Sequence, residues 1–152
     1  MPATGPSRRW VGEVQRHLSE LSREESLELL GSVSLGRIVF TLRALPAIRP
    51  VNHLLDDDAI IIRSHEGAAI VPAVAGARGA VVAYEADAID PREHLGWSVI
   101  VTGMARLLHD TEEVARYQAR LRPWVSTRMD HVIRIHPEIV TGFRLVRPPA
   151  TG

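Results

Sequence analysis

Hydrophobic positions change their period near Gly31. Before it, Trp10, Val11, Val14 and Leu18 recur at helical spacing and predict an amphipathic helix over residues 7–19. Ser22-Arg23-Glu24-Glu25 has the form of a capping box, in which Ser22 accepts from the amide three residues on and Glu25 reaches back. A second short helix should follow, carrying Leu27, Leu29 and Leu30, with Gly31 as its natural stop. Beyond Gly31 the texture is that of strands. Residues 37–42 are rich in β-branched and aromatic side chains, Ala44-Leu45-Pro46 reads as a turn, and residues 48–55 read as a second strand. Asp56-Asp57-Asp58 predicts a polar turn, and residues 59–64 a third strand that is apolar until its end.

Residues 67–76 are Ala-rich and predict a short helix, in which Pro72 must sit near the first turn or bend it. A strand over 80–85, a loop over 86–96 and a long strand over 97–108 come next, with a bulge expected at Gly103. Asp110 caps a helix through about Leu121, and residues 132–135 and 139–146 complete the strands. Six or seven strands with hairpin-length links and a few helices predict a mainly β (α+β) fold, a closed antiparallel barrel with peripheral helices. No repeat or linker divides residues 1–152, so one domain is expected, with 1–6 and 148–152 as loose tails.

Composition narrows the chemistry. All 18 basic residues are Arg, balanced by 18 Asp and Glu, and the chain has neither Lys nor Cys. Without Cys there is no disulfide, thiolate nucleophile or cysteine-ligated cluster. Without Lys there is no Schiff base and no Lys-bearing phosphate loop. Any phosphate must be met by Arg, hydroxyls or backbone N–H groups. A net charge of zero gives no footprint for nucleic acid. No apolar run approaches a membrane span, and the first residues do not read as a signal peptide, so a cytoplasmic location is expected.

Familiar catalytic and metal motifs are missing. Gly96-Trp97-Ser98-Val99-Ile100 begins like a nucleophile elbow but lacks the closing Gly and precedes a strand. The seven His show no tight ligand spacing, and His65-Glu66 and Asp56-Asp57-Asp58 read as exposed polar turns, so no metal is assigned.

Three segments carry more. Ile48-Arg49-Pro50-Val51-Asn52-His53 is a strand with Pro in its middle, which places that part at an edge, at a bulge or beside a ligand. Ile62-Arg63-Ser64-His65-Glu66-Gly67 ends a buried strand in Arg and a hydroxyl and runs into a Gly that opens a helix, a workable phosphate site without Lys. Gly96-Trp97-Ser98-Val99 sets an aromatic ring and a hydroxyl at the start of a long strand.

In order and spacing, these segments resemble the pyridoxamine 5'-phosphate oxidase-like family, particularly its small bacterial flavin-binding members. Gly36-Arg37-Ile38, Glu85-Ala86-Asp87-Ala88-Ile89-Asp90 and the closing Ile139-Val140-Thr141-Gly142-Phe143-Arg144-Leu145 add to the match. The resemblance implies an antiparallel split β-barrel and FMN held at the interface of a homodimer, acting as an oxidoreductase on a small-molecule substrate. It implies that Pro50, Val51 and Asn52, with Arg49 as a further contact, line the isoalloxazine. Arg63, Ser64 and the amides near Gly67 would meet the phosphate, and Trp97 and Ser98 would approach from the other side. Relatives commonly carry Thr-Lys where this chain has Ala68-Ala69. Losing one charge-assisted contact of about 1.5–3 kcal/mol would weaken binding roughly tenfold to a hundredfold. A non-catalytic dimer binding a flavin, deazaflavin or haem on the same fold is therefore the alternative. No residue is singled out as a catalytic acid or base, although His53 and His65 lie near the implied site.

Overall fold

A computed structural model describes residues 15–65, 68–122 and 129–150, and among them seven strands and three helices. They run in the order β1 (His17–Leu21), α1 (Arg23–Gly31), β2 (Leu35–Leu42), β3 (Leu45–Asp56), β4 (Ala59–Ser64), α2 (Ile70–Val74). They continue with β5 (Ala80–Asp90), β6 (Leu95–Leu107), α3 (Thr111–Arg120) and β7 (His131–Val146).

Every pairing is antiparallel, and the order β7-β4-β3-β2-β5-β6 closes where β6 pairs back onto β7. Closure depends on the length of β7. Strand β6 follows one of its edges from Ile133 to Leu145. The other edge is divided: β4 takes His131–Ile135, and β1 takes Gly142–Val146. Helix α1 packs against β7, with Ser26 beside Gly142, and its Leu27 and Leu30 are buried in the core. That divided edge makes the architecture a split β-barrel, as the resemblance implies.

Alternation along the strands builds the core. Ile38, Ile60, Ile62, Tyr84, Val99, Val101, Ile133 and Ile135 are all fully buried on the inner face. A smaller cluster on the outer side of β4 is sealed by α3, where Tyr117 and Leu121 cover Ile61 and Val132. The capping box forms as expected: Ser22 Oγ accepts from the Glu25 amide at 3.1 Å, and the Ser22 amide donates to Glu25 Oε1 at 3.4 Å. Asp110 caps α3 in the same way, accepting from the Glu113 amide at 2.9 Å.

Five local expectations are corrected. The described end of the predicted first helix, residues 17–19, belongs to strand β1 instead, because the free edge of β7 offers backbone partners. Residues 86–90, expected as loop, extend β5, which pairs with β6 down to Asp90/Leu95. Ala and Asp are poor strand formers, and the ladder overrides them. The first hairpin turns at Arg43-Ala44, both at positive φ (50° and 63°), so Leu45 and Pro46 already lie in β3. Residues 132–135 and 139–146 form one strand rather than two. The expected bulge is present, with Thr102 opposite Ile139 and Gly103 opposite Pro137, which leaves Glu138 as the extra residue. A Cβ at Gly103 would sit 1.7 Å from the His136 carbonyl oxygen, so only glycine lets the two backbones meet there. Helix α2 is shorter than expected, and Pro72 falls in its first turn, where a missing N–H costs nothing.

Candidate functional site

The ladder between β3 and β4 covers only His53–Asp56 and Ala59–Ile62. Beyond His53/Ile62, β3 is paired with β2 alone and β4 with β7 alone. Pro50, opposite Arg37 on β2, therefore has no strand on its other side, and its lack of a donor leaves no ladder bond unmade there. The gap is a half-open cavity of about 450 Å³. Ile38, Ile62 and Ile70 with Ala68 and Ala69 give it apolar walls, and Arg49, Ser64 and His65 bring polar groups to it. Its size and mixed lining are those of a site for one small organic ligand.

Arg63 borders the same cavity but turns its guanidinium toward α3. Its Nε donates to the Met129 carbonyl at 2.9 Å, its Nη2 donates to that same oxygen, and its Nη1 donates to the carbonyls of Leu121 (2.9 Å) and Gln118 (3.2 Å). Two of these acceptors lie in the last turn of the helix and just past it, where the macrodipole favours a cation. Burial depresses its pKa, and the nearby Asp130 carboxylate opposes the shift.

Behind the cavity wall, β3 and β5 share a buried polar pair. His53 Nε2 lies 2.8 Å from the Leu30 carbonyl at the end of α1, and Nδ1 lies 2.5 Å from the Tyr84 hydroxyl. A carbonyl only accepts, so Nε2 carries the proton and the Tyr84 hydroxyl donates to Nδ1. Burial lowers the His53 pKa and raises that of Tyr84, both toward this neutral pair. Gly36 makes the room: a Cβ there would lie 2.4 Å from the Tyr84 hydroxyl oxygen. His53 also lines a more open hollow with Arg37 and Asp87. There Arg37 Nη1 bridges Glu85 and Asp87, at 3.1 Å to each. Burial first, then the Asp87 carboxylate, raise the Glu85 pKa to about 7 against the pull of Arg37.

Of the residues that the sequence singles out, Arg49, Pro50, Val51, Arg63 and Ser64 line the cavity. Gly67 lies outside the described residues. Asn52, Trp97 and Ser98 do not line it. Asn52 alternates with Val51 and His53 and so takes the opposite face of β3. Trp97 is 7% exposed and packs in the core with Val99 and Val101, while Ser98 sits between Asp87 and Phe143 on the other face of β6. His65 joins the lining although it was noted only for its place in the sequence. The inward period of Ile38 and Ile62 was a readable signal, whereas Met129 had none. Among the described residues no group of three His, Asp or Glu is placed to hold a metal, and no helix is long and apolar enough to cross a membrane.

A closed antiparallel split barrel with a cavity of about 450 Å³ where the β3–β4 ladder is interrupted defines the structural class. Comparison with known sequences gives the family: residues 22–144 match the sequence profile of pyridoxamine 5'-phosphate oxidase, and the chain belongs to that family. It is 52% identical over 147 residues to an uncharacterized protein of Mycobacterium tuberculosis, covering 95% of this chain and 97% of the relative. Among solved structures it is similar to the FAD-binding protein of Mycobacterium smegmatis, with 35% identity and a TM-score of 0.69 over 84% of this chain and 98% of that one. It is likewise similar to a protein of unknown function from Corynebacterium diphtheriae, with 30% identity and a TM-score of 0.68 over 85% and 98%.

Proposed function

We propose that the cavity between β3 and β4 binds the ring system of a flavin nucleotide and that the protein is a homodimeric flavin-dependent oxidoreductase acting on a small molecule. The observation that carries this reading is the cavity itself, about 450 Å³ of mostly apolar space bounded by the Pro50-Val51 segment and by the end of β4. A planar aromatic cofactor suits such walls, and Arg49, Ser64 and His65 give polar contacts for its anionic end. The FAD-binding protein of Mycobacterium smegmatis, similar along nearly its whole length, supports a flavin and adds FAD to the FMN that the sequence suggests. When bound, a flavin would supply the redox chemistry, and the chain's own task would be to position the ring and control access to it.

The dimer is supported by an apolar outer face. Ile48, Val39, Ala83, Thr102 and Ile139 are successive cross-strand partners over β3, β2, β5, β6 and β7, so they share one face. Ile48 and Ile139 in this row are 57% and 64% exposed, and Val81 and Ile100, two residues from it, are 65% and 49% exposed. Ile48 adjoins Arg49 at the cavity, so a second copy on this face would sit beside the site. An absorption spectrum of the purified protein after incubation with FMN or FAD and removal of the excess tests the function. Retained flavin bands, followed by bleaching with a reduced nicotinamide or another donor, are expected. A folded protein that retains neither flavin refutes the reading.

A further inference from the structure

We propose that His65, together with Arg49, takes the anionic end of the ligand, while Arg63 serves as a clamp on α3. The identity of the ligand rests on the flavin reading above; the division of labour rests on strand β4. Neighbouring strand residues point to opposite faces, and Ile62 and Ser64 face the barrel interior. Arg63 between them is thrown to the α3 side, where three backbone carbonyls hold its guanidinium. To bind a phosphate it would have to give up these bonds to Met129, Gln118 and Leu121.

Few other nitrogen donors line the cavity among the described residues. The chain has no Lys, and Ala68 and Ala69 line the approach to α2. That leaves Arg49 and His65 among the described lining residues. Arg49 lies opposite Ile38 and so faces the cavity, and its Nη1 donates to the Ile48 carbonyl at 2.8 Å. His65 directly follows Ser64 and is half-buried; its carbonyl accepts from the Ala68 amide at 3.0 Å, while its imidazole has no hydrogen-bond or ion-pair partner among the described residues. An imidazole N–H can donate to a phosphate oxygen as a charge-assisted bond. His65 and Arg49 are therefore the residues that distinguish a phosphate-bearing ligand from the same ring without phosphate.

The experiment compares FMN with riboflavin, which has the same ring and no phosphate, in fluorescence titrations of the full chain. Wild type should hold FMN more tightly. His65→Ala should lose about tenfold in FMN affinity, the scale of one charge-assisted contact, and leave riboflavin almost unchanged. His65→Arg should restore the preference. Arg63→Gln should melt at lower temperature yet keep the wild-type ratio of FMN to riboflavin affinity. An unchanged ratio in His65→Ala overturns the proposal, as does a collapse of the ratio in Arg63→Gln alone. Since His65 holds no described side-chain contact, its variants decide the matter even where Arg63→Gln does not fold. Failure of the flavin reading is told apart by inorganic pyrophosphate. If wild type binds neither flavin, a His65 imidazole resonance that moves with pyrophosphate and is missing in His65→Gln still supports the anion site. A resonance that stays still overturns it.

Discussion

Burial sets the protonation of His53 and Tyr84, and the geometry around them fixes which atom donates. The Tyr84 hydroxyl supplies the partner of His53 Nδ1, so Tyr84→Phe leaves a buried acceptor unsatisfied. It should cost about 1–3 kcal/mol in urea denaturation, with little change in the cooperativity of the transition. The pair also links stability to pH. The unfolded chain protonates His53 near the ordinary imidazole value of 6.5, while the folded chain resists, so stability is lost as pH falls below about 6.5. Glu85 acts in the opposite direction. Its folded pKa of about 7 lies above the ordinary carboxylate value of 4.5, so its contribution is fully present below 4.5 and is lost as pH rises through 7. Glu85→Gln should therefore gain in Tm relative to wild type on going from pH 5 to pH 8. A Tm difference that is flat across this range would show that the carboxylate is not held protonated. None of this was legible in the sequence. His53 stood out only for its nearness to Pro50, because burial depends on which strands close over it.

Elements were legible where local chemistry agreed with the ladder. The Ser22 capping box, the Asp57-Asp58 turn at φ of 49° and 61°, the strand Ala59–Ser64 and the Gly103 bulge all follow from nearby residues. Boundaries moved where pairing outweighed propensity, as in residues 17–19 and 86–90. The Arg43-Ala44 turn was misplaced because neither residue is a usual left-handed former, although both adopt positive φ. Ala44→Gly removes the steric cost of that conformation, partly offset by a freer unfolded chain, and should stabilise by about 0.5–1 kcal/mol. A fall in Tm for this variant would contradict the turn geometry. Period two on β4 could also have been applied more fully in the sequence. It separates Arg63 from Ser64, two neighbours that the resemblance assigns to one phosphate. The acceptors that capture Arg63, at Met129, Leu121 and Gln118, lie more than fifty residues away in the chain.

Across the whole molecule, the outer row from Ile48 to Ile139 makes the clearest demand on a partner. A stable interface buries about 800 Å² per protomer, and an isologous dimer would use this face twice. Ile100→Glu with Ile139→Glu should shift light scattering at micromolar concentration from a dimer to one chain of 16.8 kDa, with far-ultraviolet dichroism unchanged. Wild type that is already a monomer would leave the face uncovered and refute the homodimer. The order of apolar, polar and turn residues along the chain was enough to predict an antiparallel barrel, because periodicity and turn chemistry are local. The segments at Pro50 and Arg63 were singled out by residue type and family resemblance, together with a third at Trp97 that does not line the cavity. Tertiary structure alone decided that the β3–β4 ladder stops at His53/Ile62, that Arg63 is held by α3 and that Trp97 is core. Each of those outcomes depends on which distant backbone groups compete for the same side chain or strand edge, and a local pattern carries no record of that competition.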